Sequence, residues 1–563
     1  PLNYTREELK FNVINDHGTK ENELQKQLLE LDTRWNIFTP NGKDSRCGII
    51  FTPHVNGAKG CYTLSNNLSN ALNVDVGYYS GSVPKVNGQA VMEDKDFDVY
   101  KKSVQDGFKD NKFTLLTATK AFGMGVNKGN IFYTIHYGIP SSMESLYQEA
   151  GRAGRDKSKF IDESAECLVL LTPERNSEVL TSLWEPTITL DELKEASKHT
   201  LRDGDINTNL FMFTNSLDTI NNEYSLMKDL YTQYYSPELL KQLVTSSSLN
   251  STKAKVEKAI YRLSQLGIVD DWTIEDFFRG KFSVEFKKHT EENVLTTMTQ
   301  TIQKYDKNFS LDNLKKEGSK HYNFIFSQKD KFAKVEIYFV VLLLWSYEHF
   351  AYNRRQSLKN VYDNCTDLAS GKITEVDFKQ TLENYFKFNE SSYILQHIAD
   401  NPNDHTKWFE VFYKILDGKT ENILIDKPKQ LQTKDQLSRF LESYMQNIGL
   451  NFISGILRLL LNDYNDPDGR IRFENSLTVI KDYETKDKEK IIDRLINLAS
   501  FFQMNQKNLL VRSIDKIFND RALLYRFSDT IEDEYSLEII LIGQATRLQK
   551  INQKIKEISW EIK

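Results

Sequence analysis

From about Arg46 the chain alternates short, unbroken apolar runs with amphipathic stretches. The runs are Gly48–Thr52 (GIIFT), Val74–Tyr79 (VDVGYY), Phe113–Thr117 (FTLLT), Ile131–His136 (IFYTIH) and Cys167–Leu171 (CLVLL). Runs this short and this apolar, with little polar alternation, are what strands buried on both faces require. Between them, Cys61–Leu72, Val99–Asp110 and Ser142–Gly151 carry helical spacing. Strand and helix in alternation predict a parallel sheet covered on both sides, an α/β lobe over residues 1–172.

The pattern then changes. Residues 173–235 read as a polar helical connector, in which Asp191-Glu192 follow Thr187-Ile188-Thr189-Leu190 as acids in the first turn of a helix. Residues 236–290 predict a helix at Pro237–Thr245, a helix at Ser251–Leu266, and strands at Trp272–Phe277 and Lys281–Phe286 joined at Arg279-Gly280, an order that looks like a winged helix. In its second helix Val256, Ile260, Leu263 and Leu266 form the apolar stripe. That leaves Lys253, Lys255, Lys258 and Arg262 facing largely outward, where they would neutralise phosphates or simply be solvated; Asp270, Asp271, Glu275 and Asp276 nearby weaken the patch. Residues 291–563 are almost wholly amphipathic helix with anchors such as Trp345, Trp408 and Phe501, and no repeat of fixed period. The longest apolar run, Ile337–Trp345, is about half of the ~20 residues that cross a bilayer, so it predicts a helix buried on all sides and no membrane partner.

A chain of 563 residues predicts roughly three or four domains. Its net charge of -6 excludes a polycation that coats nucleic acid, so any such contact must use local patches. Cys47, Cys61, Cys167 and Cys365 contain no C-x-x-C pair, so no zinc is expected, and a reduced, cytoplasmic protein is the simplest reading.

The chemistry concentrates at Gln148–Arg155, which reads Gln-x-x-Gly-Arg-x-Gly-Arg. If the helix from Ser142 runs on through this segment, Arg152 and Arg155, three apart, project from one face, and a planar guanidinium that stays charged suits a transferring phosphoryl group. Upstream, Gly123 and Gly125 flank Met124 where a strand gives way to a loop that can approach a ligand closely.

These two blocks, Ala121-Phe122-Gly123-Met124-Gly125 and the Gln148–Arg155 pattern, resemble motifs V and VI of the RecQ-type superfamily 2 DNA helicases. The resemblance extends from about Asn3 to Thr172 and implies that the α/β lobe is the second RecA-like lobe of such a motor. It further implies ATP with Mg2+ as cofactors, single-stranded or forked DNA as partner and 3′ to 5′ polarity. Arg155 takes the finger role, Arg152 supports it and Gln148 links nucleotide state to lobe closure. Gly123, Gly125 and Asn127 would line the nucleotide, while Thr117 and Thr119 lie between it and the DNA. Thr52, His54, Ser80 and Gly81 match backbone contacts to DNA. Asn127 and Gly129 stand where many relatives have Asp and Pro, and the family's four-cysteine zinc module is absent.

A motor also needs a phosphate-binding loop and an Asp-Glu pair for magnesium. The one Gly-Lys-Thr, Gly418-Lys419-Thr420, has Tyr413 where the loop needs its first glycine. Neither Asp162-Glu163 nor Asp533-Glu534 ends a buried strand pattern. With Pro1 opening the chain, the expectation is a C-terminal part whose first lobe lies upstream. The rival expectation is a non-catalytic module in which the lobe is a vestigial platform and the helical region binds a protein partner.

Overall fold

The computed structural model describes residues 6–17, 19–123, 128–161, 163–185, 188–216, 219–276, 279–305, 309–311, 335–386, 390–416, 419–422, 427–461, 466–499 and 501–520, with 523, 526, 541, 544–545 and 547–556. They form two compact units: the described residues of Pro1–Met298 and Gly318–Glu383, and those of Thr299–Glu317 and Asn384–Lys563.

The first unit opens with β1 (Leu9–Asn15) and α1 (Lys20–Trp35), followed by β2 (Cys47–Phe51), α2 (Cys61–Leu72) and β3 (Val76–Tyr79). A small hairpin of β4 (Lys85–Val86) and β5 (Gln89–Ala90) precedes α3 (Asp94–Lys109), β6 (Leu115–Ala118), β7 (Ile131–His136), α4 (Met143–Ala150) and β8 (Ala165–Leu171). Six of these strands make one parallel sheet in the order β1-β8-β7-β2-β6-β3. The apolar runs of the sequence are its strands, and β2, β6 and β7 are buried at every position. The edge strand β1 has an alternating pattern instead, with Leu9, Phe11 and Val13 buried and Lys10 and Asn12 exposed. That half-polar signature is why the apolar-run criterion passed over it.

After the lobe come α5 (Ser177–Trp184), α6 (Leu190–Ser197), α7 (Asp205–Ser216) and α8 (Ile220–Tyr234). The Asp191-Glu192 start is a capping box, in which Thr189 accepts from the Glu192 amide and the Glu192 carboxylate accepts from the Thr189 amide. Helix α7 lies across the carboxyl ends of the strands. Asp205 on α7 accepts from the Ile139 and Thr172 amides at 3.2 and 3.1 Å, and Lys20 lies 3.2 Å from its other oxygen and 2.7 Å from Asp16. Asn209, one turn along, donates to the Ile139 carbonyl at 3.1 Å.

Next are β9 (Lys241–Thr245), α9 (Lys253–Gln265), β10 (Val269–Asp276) and β11 (Lys281–Phe286), with the sheet order β10-β11-β9, antiparallel throughout. The helix expected at Pro237–Thr245 is therefore a strand over its second half. Pairing of Lys241–Thr245 with Lys281–Glu285 satisfies its backbone, and it leaves Leu243 54% exposed where a packed helix would have buried it.

After α10 (Glu291–Gln303), the long apolar run lies within α11 (Glu336–Ala369). Ile337–Trp345 is buried at all nine positions, as its sequence predicts. Helix α11 returns to the lobe: Arg355 donates to the Leu183 and Glu185 carbonyls, each at 2.9 Å, and the Tyr362 hydroxyl accepts from the Glu174 amide. On α12 (Glu375–Phe386) Glu375 accepts from the Phe11 amide and Phe378 packs on the Phe11 ring, so β1 is covered by side chains far along the chain.

The second unit is mostly helical around Trp408, Phe452 and Phe473, with an antiparallel strand pair, Tyr413–Leu416 and Lys419–Asn422. Helices 448–461 and 467–481 approach closely at Gly455, where a Cβ would stand 2.8 Å from the Phe473 nitrogen. Among the described residues no helix is long and apolar enough to cross a membrane.

Candidate nucleotide and nucleic-acid site

Helix α4 begins at Ser142, whose hydroxyl accepts from the Ser145 amide at 3.1 Å. It ends at Ala150, and Gly151 closes the last turn. Arg152 and Arg155 thus sit in a turn after the helix and not along it, which corrects the expectation of a continuous helical face. Gly154 adopts φ +67°, a left-handed conformation that reverses the chain at this point.

A third arginine, missed by the sequence reading, organises the turn. Arg6 donates to the Gly151 carbonyl at 3.3 Å and to the Ala153 carbonyl at 2.8 Å, and pairs with Glu8. It therefore uses the carbonyls left over at the helix end. Arg155 is exposed and its Nε donates to the Gly151 carbonyl at 3.3 Å, while the buried Nε of the half-buried Arg152 has no hydrogen-bond partner among the described residues. Burial pulls both guanidinium pKa values down; Glu149 opposes this at Arg152, whereas Arg152 and Arg6 add to it at Arg155. Three cationic groups, one of them paired with Glu8, thus lie around one turn, an arrangement suited to an anion. Gln148 is exposed on α4. Behind the turn, Glu149 approaches the buried His136 ring to 3.1 Å and anchors α4 to β7.

The other expected residues divide. Thr117 is fully buried and its hydroxyl faces the Cys61 and Gly77 carbonyls at 2.8 and 3.2 Å. It is a sheet-to-helix tie and cannot reach a phosphate. The Thr52 hydroxyl donates to the His54 carbonyl at 3.1 Å and the Ser80 hydroxyl to the Ser82 carbonyl at 2.7 Å, so both shape their own loops. The Thr52 and Thr119 amides are likewise used, on Ala118 and Tyr79. Both hydroxyl and amide donors expected from these positions are thus largely spent inside the protein. His54 and Gly81 remain on the surface at the carboxyl ends of β2 and β3. Burial, then Lys59, lowers the His54 pKa, so the ring is neutral near pH 7. Gly123 closes a short 3-10 turn after β6, whereas Gly125 and Asn127 lie outside the described residues.

On α9, Lys255 is exposed and Lys253 half-exposed, as expected. Arg262 is not outward: it is 6% exposed and donates to Glu223 at 3.0 Å and to Ser346 at 3.1 Å. Lys258 pairs with the same Glu223 at 2.8 Å. Helices α8 and α11 cover the face of α9 that the helical wheel left to solvent, so these two cations have a structural role. Among the described residues no cluster of three His, Cys, Asp or Glu side chains is arranged to hold a metal ion.

Residues 19–157 match the family model of the helicase conserved C-terminal domain. The lobe is therefore similar to the C-terminal lobe of helicases. It resembles RecQ-like helicases in particular: it is 44% identical over 77 residues to an ATP-dependent DNA helicase RecQ of Bacillus subtilis, a match covering 14% of this chain and 12% of that protein. An ATP-dependent DNA helicase Q-like SIM of Arabidopsis thaliana is 40% identical over 104 residues, 18% of this chain and 10% of its own. The RecQ-like DNA helicase blm-1 of Caenorhabditis elegans is 54% identical over 54 residues, 10% of this chain and 6% of its own. The matched stretches cover only 6–12% of the length of these relatives. Among solved structures, domain 2 of the DEAD-box helicase Mss116p aligns at 13% identity over 45% of this chain and 84% of that one, with a TM-score of 0.22.

Proposed function

We propose that this chain supplies the second motor lobe of a RecQ-like, ATP-dependent DNA helicase of 3′ to 5′ polarity. The observation that carries the reading is the turn after α4, where Arg6, Arg152 and Arg155 gather beside a helix end and the buried Arg152 Nε has no hydrogen-bond partner among the described residues. Arg155 acts as the finger on the γ-phosphate and Arg152 supports it; Gln148 reports nucleotide state, with Gly123, Gly125 and Asn127 against the nucleotide. The phosphate-binding loop and the carboxylates for Mg2+ come from a lobe outside these 563 residues. ATP then draws two lobes together on single-stranded or forked DNA. Hydrolysis releases them, because the charge the arginines hold in the closed state has changed. His54, Gly81 and Thr119 contribute the DNA track, and Lys253 and Lys255 on α9 contact flanking phosphates. We read residues 1–172 as the motor lobe, 173–235 as its connector, 236–290 as a winged-helix-like module and 291–563 as a helical region that receives a protein partner.

The test is DNA-stimulated ATP hydrolysis by this polypeptide joined to a lobe that carries the phosphate-binding loop. Arg155→Ala should lower the turnover by about 10³-fold or more while leaving nucleotide affinity within a few fold. An unchanged turnover refutes the finger role. A complete protein with no hydrolysis at all would leave the non-catalytic reading standing.

A further inference from the structure

Helix α7 carries two neighbouring apolar side chains, Phe211 and Met212, that are 57% and 43% exposed. A single exposed apolar residue needs no explanation, but the placement of this pair does. Thr208, three and four residues earlier on the same face of α7, is 7% exposed and accepts from Lys59 at 2.8 Å. Lys59 also donates to the Asp203 carbonyl at 2.7 Å, so the loop from Thr52 to Gly60 is clamped to the start of α7. Both acceptors are uncharged; burial lowers the Lys59 pKa, and the carboxylates of Asp205, Asp203 and Asp16 partly offset this. Phe211 therefore rises from the face of α7 that looks toward this loop, and its ring stands edge-on to His54, with centroids 6.2 Å apart and an interplanar angle of 82°. The Asp205 and Asn209 bonds to Ile139 and Thr172 fix α7 over the carboxyl ends of β7 and β8. Ligands of open α/β sheets bind at that edge.

An aromatic face that is open to solvent, rigidly mounted, and bordered by an exposed backbone loop fits one class of ligand. We propose that Phe211 is a stacking platform for an unpaired base of single-stranded DNA whose backbone passes the His54–Lys59 loop. The ring supplies the apolar surface, His54 holds it upright, Lys59 fixes the loop to α7, and the exposed Asn56–Ala58 stretch of the loop meets the phosphate. Stacking tolerates any base, as a translocating motor demands. The inference rests on the motor-lobe reading for the choice of DNA as ligand.

The experiment is fluorescence anisotropy of the whole chain with labelled oligodeoxythymidine, an abasic oligonucleotide of equal length and oligouridine, using wild type, Phe211→Ala and Phe211→Tyr. Phe211→Ala should weaken oligodeoxythymidine binding roughly tenfold and leave abasic binding unchanged, and Phe211→Tyr should keep wild-type affinity. Equal affinity of wild type and Phe211→Ala for oligodeoxythymidine overturns the platform and spares the motor-lobe reading. An equal loss on the abasic strand overturns it too, since the ring would then act through the loop. Tighter oligouridine binding overturns the choice of DNA. No binding of any strand by a folded wild-type chain overturns the platform and the DNA track together.

Discussion

Replacing Arg262 by Met removes a charge from a site that the helical wheel would have left in water, and the structure sets the size of the effect. Glu223 is 4% exposed and is held by Arg262 at 3.0 Å, Lys258 at 2.8 Å and the Tyr347 hydroxyl at 2.5 Å. Burial pushes the Glu223 pKa up, but the bonds to Lys258 and Tyr347 and the charge of Arg262 outweigh it, so the net value lies below normal. Breaking a buried pair from one side costs about 3–5 kcal/mol. Lys258 and Tyr347 remain after Arg262→Met, so the lower end, about 3 kcal/mol, is expected, or roughly a hundredfold in the local opening equilibrium. Lys258 is 38% exposed, and Lys258→Ala should cost only about 1 kcal/mol. Hydrogen-exchange mass spectrometry of the α8 and α9 peptides reads this opening directly, which matters in a chain of two compact units where one global unfolding energy is undefined. The sign with pH follows from the depressed carboxylate. Its contribution is complete above the unfolded value of about 4.3 and disappears as pH falls through the lower folded value. The Arg262→Met penalty should therefore be full at neutral pH and shrink under acid. A penalty no larger than that of Lys258→Ala, or one that grows as pH falls below 4, would refute the reasoning.

Two further outcomes are expected. Gly154→Ala places a Cβ 2.8 Å from Glu8 Cγ at φ +67°, and should cost about 1–2 kcal/mol, seen as faster exchange in the arginine turn; an unchanged rate would mean the turn relaxes freely. All four cysteines are buried, and burial lifts Cys61 to about 11 and Cys167 to about 12, so a disulfide reagent should find no fast thiol in the native chain and four after denaturation.

What the sequence by itself determined is local. Unbroken apolar runs specify β2, β6, β7 and β8, because a strand covered on both faces has no polar position to offer. The total burial of Ile337–Trp345 was equally legible, as was the Gln148–Arg155 pattern. Only the tertiary structure decided the rest, because each case depends on a partner distant in the chain. Edge strand β1 reads as half-polar until Glu375 and Phe378 cover it. Lys241–Thr245 has helical spacing until β11 supplies its hydrogen bonds. Arg262 looks solvated until Glu223 and Ser346 enclose it, and Thr117 looks available until Cys61 and Gly77 take its hydroxyl. The arginine turn depends on Arg6, some 145 residues away, whose place against the carbonyls of Gly151 and Ala153 no local pattern encodes. A periodicity reports which face of an element is apolar. Which neighbour meets that face, and which polar groups it uses up, is fixed only when the elements pack.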